Sequence, residues 1–120
     1  VTQNLIGTVE GKTVLLYDDM ISTADTVCEA AALCMQRGAK RVIAAATHGV
    51  LCGPAIDRLV RSPIERLIVT DTIPRRESWA ALGDRLTVLS VAGLLGDAIN
   101  NIHHNKSVSA LFRVTAGSKR

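Results

Sequence analysis

Short apolar runs alternate along this chain with longer stretches whose apolar residues recur every three or four positions. Val14-Leu15-Leu16 is the first run, bounded by Gly11-Lys12 and by two acids. Its lack of polar alternation predicts a strand buried on both faces. From Thr26 to Arg37, the residues Val27, Ala30, Ala31 and Cys34 share one helical face, and Gly38 supplies a stop. RVIAAAT, residues 41–47, repeats the buried-strand pattern. After HGVLCGP a second helix is expected, with Pro54 in its first position and Ile56, Leu59 and Val60 facing inward. RLIVT (66–70) and LTVLS (86–90) predict two more strands, while Asp71 to Arg85 lacks clear periodicity. Val91, Leu94, Leu95, Ala98, Ile99 and Ile102 form one stripe of a last helix over 91–102. SVSALF, 107–112, predicts a short closing strand, and 113–120 a frayed tail.

This alternation is the grammar of a doubly wound α/β domain, with a mostly parallel sheet of about 4–5 strands flanked by helices. Residues 1–112 are expected to form that domain. Ligands of such folds collect outside the carboxyl ends of the strands. Four places are therefore in play: Asp18 to Thr26, Thr47 to Gly53, the segment from Asp71, and the turn at Ser90.

Composition narrows the function classes. The 48% hydrophobic content is mostly aliphatic, and Tyr17, Trp79 and Phe112 are the only aromatics. That argues against the stacking platforms of single-stranded nucleic-acid binders. A net charge of +3, with its basic residues scattered, is too thin for a duplex-binding face, so no nucleic-acid partner is expected. Trp79 is expected against a surface or an interface. Cys28, Cys34 and Cys52 form no CxxC pair, which suggests reduced thiols and a cytoplasmic setting. No apolar run approaches the ~20 residues of a membrane helix, and no membrane partner is expected. The chain opens at Val1 without Met and reads as a fragment or one half of a longer protein.

The candidate chemistry is concentrated in VLLYDDMISTADT, residues 14–26. A helix that starts just after a strand leaves backbone N–H groups unpaired, and with the helix dipole they make an anion site. Ser22, Thr23 and Thr26 add hydroxyl donors suited to a phosphate monoester. Asp18 and Asp19 can accept hydrogen bonds from a diol or coordinate Mg²⁺, which favours carboxylate oxygens. Together they suggest a sugar phosphate. The plainer alternative stays open: the acids end a strand, and Thr26 or Asp25 caps the helix.

LLYDDMISTADT resembles the ribose-phosphate loop of type I phosphoribosyltransferases. RGAKRVIAAATHGVLCGPAIDRL, IERLIVTDTIP and SVSALF are more specific. They look like the carboxyl-terminal half of ribose-phosphate pyrophosphokinase, over about Gly7 to Phe112. The resemblance implies a larger two-domain enzyme that moves a diphosphoryl group from ATP to the C1 hydroxyl of ribose 5-phosphate. ATP and Mg²⁺ would be bound largely by the amino-terminal domain. In this chain Asp18 and Asp19 would hold the ribose hydroxyls, directly or through Mg²⁺. Ser22, Thr23, Ala24, Asp25 and Thr26 would cradle the 5-phosphate. Ser107, Val108 and Ser109 would line a regulatory phosphate or nucleotide site between subunits of a dimer-based homo-oligomer, up to a hexamer. No catalytic residue is assigned within this chain, and on its own it is expected not to turn over.

Departures from the family pattern qualify this. Ser22 stands where the loop usually carries Asp, Asp25 where it carries Gly, and Cys52 where Ser is common. A carboxylate within ~4–6 Å of a phosphate dianion is repulsive, and Asp25 could occupy the helix donors itself. Three readings follow: a true synthetase half with Asp25 turned to solvent, a noncatalytic regulatory homologue with a spoiled loop, and a stand-alone phosphoribosyltransferase. The third lacks an evident base-recognition hood.

Overall fold

Apolar residues of alternate parity build the sheet in this computed structural model, which describes residues 5–112. Strands β1 (Thr13–Ile21), β2 (Arg41–Gly49), β3 (Ile64–Thr70) and β4 (Leu86–Leu89) lie in sequence order, and every pairing is parallel. Helix α1 (Asp25–Gln36) joins the first two and α2 (Ala55–Arg61) the next two; a 3-10 segment, Glu77–Arg85, leads into β4. The described chain divides into two compact units, with the boundary between Leu89 and Ser90.

In the first unit, parallel strands laid down in one direction through crossovers of one hand put their connections on one side of the sheet. Helix α1 packs on β1 and β2, the 3-10 segment on β3 and β4, and α2 lies against both α1 and that segment. Val42, Ala44, Ala46, Leu67 and Val69 are buried beneath this layer, facing Ala31, Cys34, Ala55, Leu59 and Leu82. The small side chains Ala44 and Ala46 let the layer approach closely. β1 is not buried on both faces as its pattern predicts. It is an edge strand, half-buried at Val14 and Leu16, while Leu15 is 60% and Tyr17 73% exposed.

Two further expectations change. Val60 does not join the inner face of α2, which Ala55, Ile56 and Leu59 supply; in seven residues the helix turns Val60 outward, 43% exposed. Trp79 is not at a surface: the aperiodic stretch folds into the 3-10 segment, bent at Gly83, and buries Trp79 completely. Gly49, at the end of β2, shows how tight the layer is. A Cβ there would lie 2.9 Å from Val69 Cγ1. Gly49→Ala is therefore expected to destabilise by about 1–3 kcal/mol, read by urea unfolding.

The second unit contains α3 (Ala92–His103) and a 3-10 turn, Ser109–Phe112. None of α3's residues is buried, and Leu95, Ile99 and Ile102 stand exposed along its stripe. SVSALF is not a strand. Asn101 Nδ2 donates to Ser107 O, Lys106 N to Asn101 O and Leu111 N to Val108 O, so the backbone finds partners locally and needs no sheet edge. The tail expected over 113–120 lies outside the described residues.

Candidate functional site

β1 runs on through both acids to Ile21 instead of ending at Leu16. Because strand side chains alternate, Asp18 and Asp19 project to opposite sides. Asp18 lines an open cleft of about 190 Å³ together with Met20, Ser22, Thr23, Ala24 and Thr26. Asp19 and Asp25 are not among its lining residues. A drug-sized ligand takes roughly 300–1,000 Å³, so this cleft suits a phosphorylated fragment better than a whole nucleotide. Asp18 Oδ1 also accepts the Asp19 amide at 2.8 Å, which orients the carboxylate.

The loop after β1 is shaped by what holds its carbonyls. Ile21 O accepts from Val50 N and Leu51 N at 3.0 and 3.1 Å, Ser22 O from Cys52 N at 3.0 Å, and Thr23 O from Arg58 Nη1 at 3.0 Å. Ser22 Oγ and Cys52 Sγ lie 3.3 Å apart. Ala24 then turns the chain in the left-handed region, at φ 62° and ψ 13°, and is 4% exposed. That conformation is uncommon for a residue with a Cβ. With its carbonyls tied to the scaffold, the loop enters α1 with no side-chain cap on the helix. Uncapped N–H groups and the positive end of the dipole are therefore left for an anion.

The plain capping alternative is not what forms. The Asp25 carboxylate turns to α2, where Arg58 Nη2 is 3.4 Å from Asp25 Oδ1. Both partners are partly exposed, so the pair contributes about 0–1 kcal/mol to stability. Nothing in the local sequence pointed to Arg58, which lies 35 positions from the carbonyl it holds. Only the packing of α2 through Ala55, Ile56 and Leu59 brings it there.

Beside the cleft, β2 and β3 end in a polar cluster. His48 Nδ1 is 2.7 Å from Thr72 Oγ1, and the Thr70 hydroxyl donates to Thr47 O at 2.6 Å. This ties the carboxyl ends of the two strands together at the edge where ligands of such sheets collect. Cys28, one turn into α1, is pushed up from its ordinary thiol value by burial, which outweighs the opposing pulls of the Ser62 hydroxyl and Arg58. Burial there favours the neutral thiol over the thiolate. Ser107, Val108 and Ser109 belong to the second unit, where the Ser107 and Ser109 hydroxyls are 2.7 Å apart.

For Mg²⁺, no group of three or more His, Cys, Asp or Glu side chains converges among the described residues. One carboxylate, Asp18, together with oxygens from a substrate and water, fits the way Mg²⁺ is usually held. A cage shared by Asp18 and Asp19 does not fit their opposed directions.

The first unit is thus a parallel α/β domain with an uncapped strand-to-helix loop and a carboxylate at the mouth of its cleft. Its family follows from comparison with known proteins. The Phosphoribosyl synthetase-associated domain profile matches residues 2–113, and the chain belongs to that family. It is 55% identical over 115 residues to a ribose-phosphate pyrophosphokinase of Rhodopirellula baltica, covering 94% of this chain and 36% of that one. The enzyme of the same name from Aquifex aeolicus is 48% identical, over 91% of this chain and 34% of its own. Among solved structures, the phosphoribosylpyrophosphate synthetase of Mycobacterium smegmatis superposes with a TM-score of 0.79 at 46% identity. It covers 83% of this chain and 33% of the synthetase. The chain thus spans about a third of the length of these relatives. No helix among the described residues is long and apolar enough to cross a membrane.

Proposed function

We propose that the cleft binds ribose 5-phosphate and that this chain is the ribose-phosphate-binding part, from the carboxyl-terminal half, of a ribose-phosphate diphosphokinase with a type I phosphoribosyltransferase fold. The observation that carries this is the uncapped start of α1 beside Asp18, inside one small cleft. The 5-phosphate accepts from the loop amides and from the hydroxyls of Ser22, Thr23 and Thr26. The ribose hydroxyls donate to Asp18. Asp19, on the other side of β1, supports the strand exit through its amide. Mg²⁺, held by Asp18 and substrate oxygens, supplies charge neutralisation when bound.

The reaction of the whole enzyme passes a diphosphoryl group from ATP to the C1 hydroxyl of the bound sugar. Such transfers rest on positioning and charge neutralisation rather than on a protein nucleophile. That agrees with a cleft offering donors and one carboxylate. ATP sits mainly on the part of the enzyme beyond this chain, so these 120 residues alone bind sugar phosphate and make no product. Ser107 to Ser109 serve a regulatory anion site in a dimer-based homo-oligomer, up to a hexamer. The three free cysteines suit the cytoplasm.

Titrating ribose 5-phosphate, with and without Mg²⁺, into the labelled chain should shift the amides of Ser22 to Thr26 saturably. Asp18→Asn should weaken binding about tenfold, the scale of one charge-assisted hydrogen bond. Unmoved loop amides at millimolar sugar phosphate would sink the reading.

A further inference from the structure

The loop carries an acid where a phosphate-binding turn can least tolerate one. Asp25 is the first residue of α1, next to the hydroxyls and amides that face the cleft. A carboxylate at that place has two harmful options. It can bend back and take the free N–H groups of its own helix, as acids near helix starts readily do. Or it can stand beside the phosphate and repel it. Asp25 does neither. No side chain caps α1, and the carboxylate is drawn across to α2, with Oδ1 3.4 Å from Arg58 Nη2. The same guanidinium uses Nη1 to hold Thr23 O at 3.0 Å.

Two separate jobs thus meet in one side chain. By fixing the Thr23 carbonyl, Arg58 keeps that peptide's oxygen turned from the cleft, in line with Ile21 O and Ser22 O, which take the amides of Val50, Leu51 and Cys52. By pairing with Asp25, it offsets the charge that would oppose a dianion. Guanidinium suits this because its planar fork can serve two acceptors at once, which a lysine ammonium does less well. The position of the fork is not left to a flexible surface helix. Ala55, Ile56 and Leu59 bury the inner face of α2, and Leu59, next in sequence to Arg58, is 1% exposed.

We propose that Arg58 is the positioning residue of the phosphate loop: it holds the Thr23 carbonyl and sequesters the Asp25 carboxylate so that the start of α1 stays free for phosphate. This rests on the reading of the cleft as a phosphate site. It also means that the acid in the loop is compensated within the chain and does not by itself spoil binding.

The test is a double-mutant cycle on the intact chain, with ribose 5-phosphate and inorganic phosphate as probes and affinity read by calorimetry. Arg58→Ala should weaken both about tenfold, because the released carboxylate competes for the helix donors. Asp25→Asn should strengthen both about twofold. In the Asp25→Asn background, the loss caused by Arg58→Ala should shrink to less than about threefold. Arg58→Lys, which keeps the charge and gives up the fork, should fall between wild type and alanine; it carries the comparison if the alanine variant does not fold. An equal loss in both backgrounds would overturn the charge-compensating role. Wild-type affinity in Arg58→Ala would overturn the inference while leaving the phosphate site intact. Failure of the wild-type chain to bind either probe would overturn both.

Discussion

Replacing Trp79 with alanine is expected to lower the unfolding free energy by about 3–5 kcal/mol, enough to unfold much of a marginal domain. Trp79 is fully buried, in the layer between α2 and the strands β3 and β4. Truncating it leaves a cavity that a short 3-10 segment bent at Gly83 has little freedom to close. The ring carries one defect of its own: Nε1 is buried without a hydrogen-bond partner among the described residues. Trp79→Phe removes that donor along with part of the ring, so its cost should stay below about 1.5 kcal/mol. Urea unfolding of both variants checks this. A phenylalanine variant as unstable as the alanine one would show that retained ring volume does not rescue the site and that losing the unpaired donor brings no relief.

Arg85→Met should cost about 2–3 kcal/mol, although Arg85 is only half-buried. Its guanidinium donates to the carbonyls of Leu59, Val60, Ser62 and Ile64. Those groups close α2 and open β3; Ser62 shares only Leu59 O, through its amide and hydroxyl, and a cation complements that end of the helix. Methionine keeps the apolar stem and removes every donor. Arg85→Lys should recover less than half, because a compact ammonium lacks the fork that spreads donors over four carbonyls. The consequence extends to the cleft, since α2 also carries Arg58. In Arg85→Met, protection of the loop amides from hydrogen exchange should fall together with that of α2. Loss confined to α2 would show that the loop is held independently of that helix.

These two arginines show how differently similar residues act. By composition both belong to a thinly spread positive charge with no evident purpose. In the fold, Arg85 fastens the far end of α2 and Arg58 uses the same helix to reach the loop after β1. The exposed ion pair of Arg58 is worth too little to matter for stability, so its value lies in where it places a carbonyl and a carboxylate.

The order of strands and helices, the strand-to-helix loop and its hydroxyls were legible from the sequence alone. Local periodicity and turn chemistry write these features into neighbouring residues. The resemblance carried by the loop, the THG segment and SVSALF led to the family that comparison then established. Two kinds of feature were not legible. Burial of Trp79 and exposure of Leu15 depend on which face of the sheet receives the helical layer, and an edge strand has the same apolar run as a central one. Likewise SVSALF has strand-like composition, but its backbone closes on Asn101 and Val108 instead.

The loop around Asp25 divides the two contributions most clearly. Sequence alone determined that an acid stands at the start of a helix where a phosphate would dock, because that is a matter of adjacent residues. Only the tertiary structure decided which way the acid turns. Arg58 is remote in the chain and arrives through the buried face of α2, and the direction of a side chain is set by the charges packed around it.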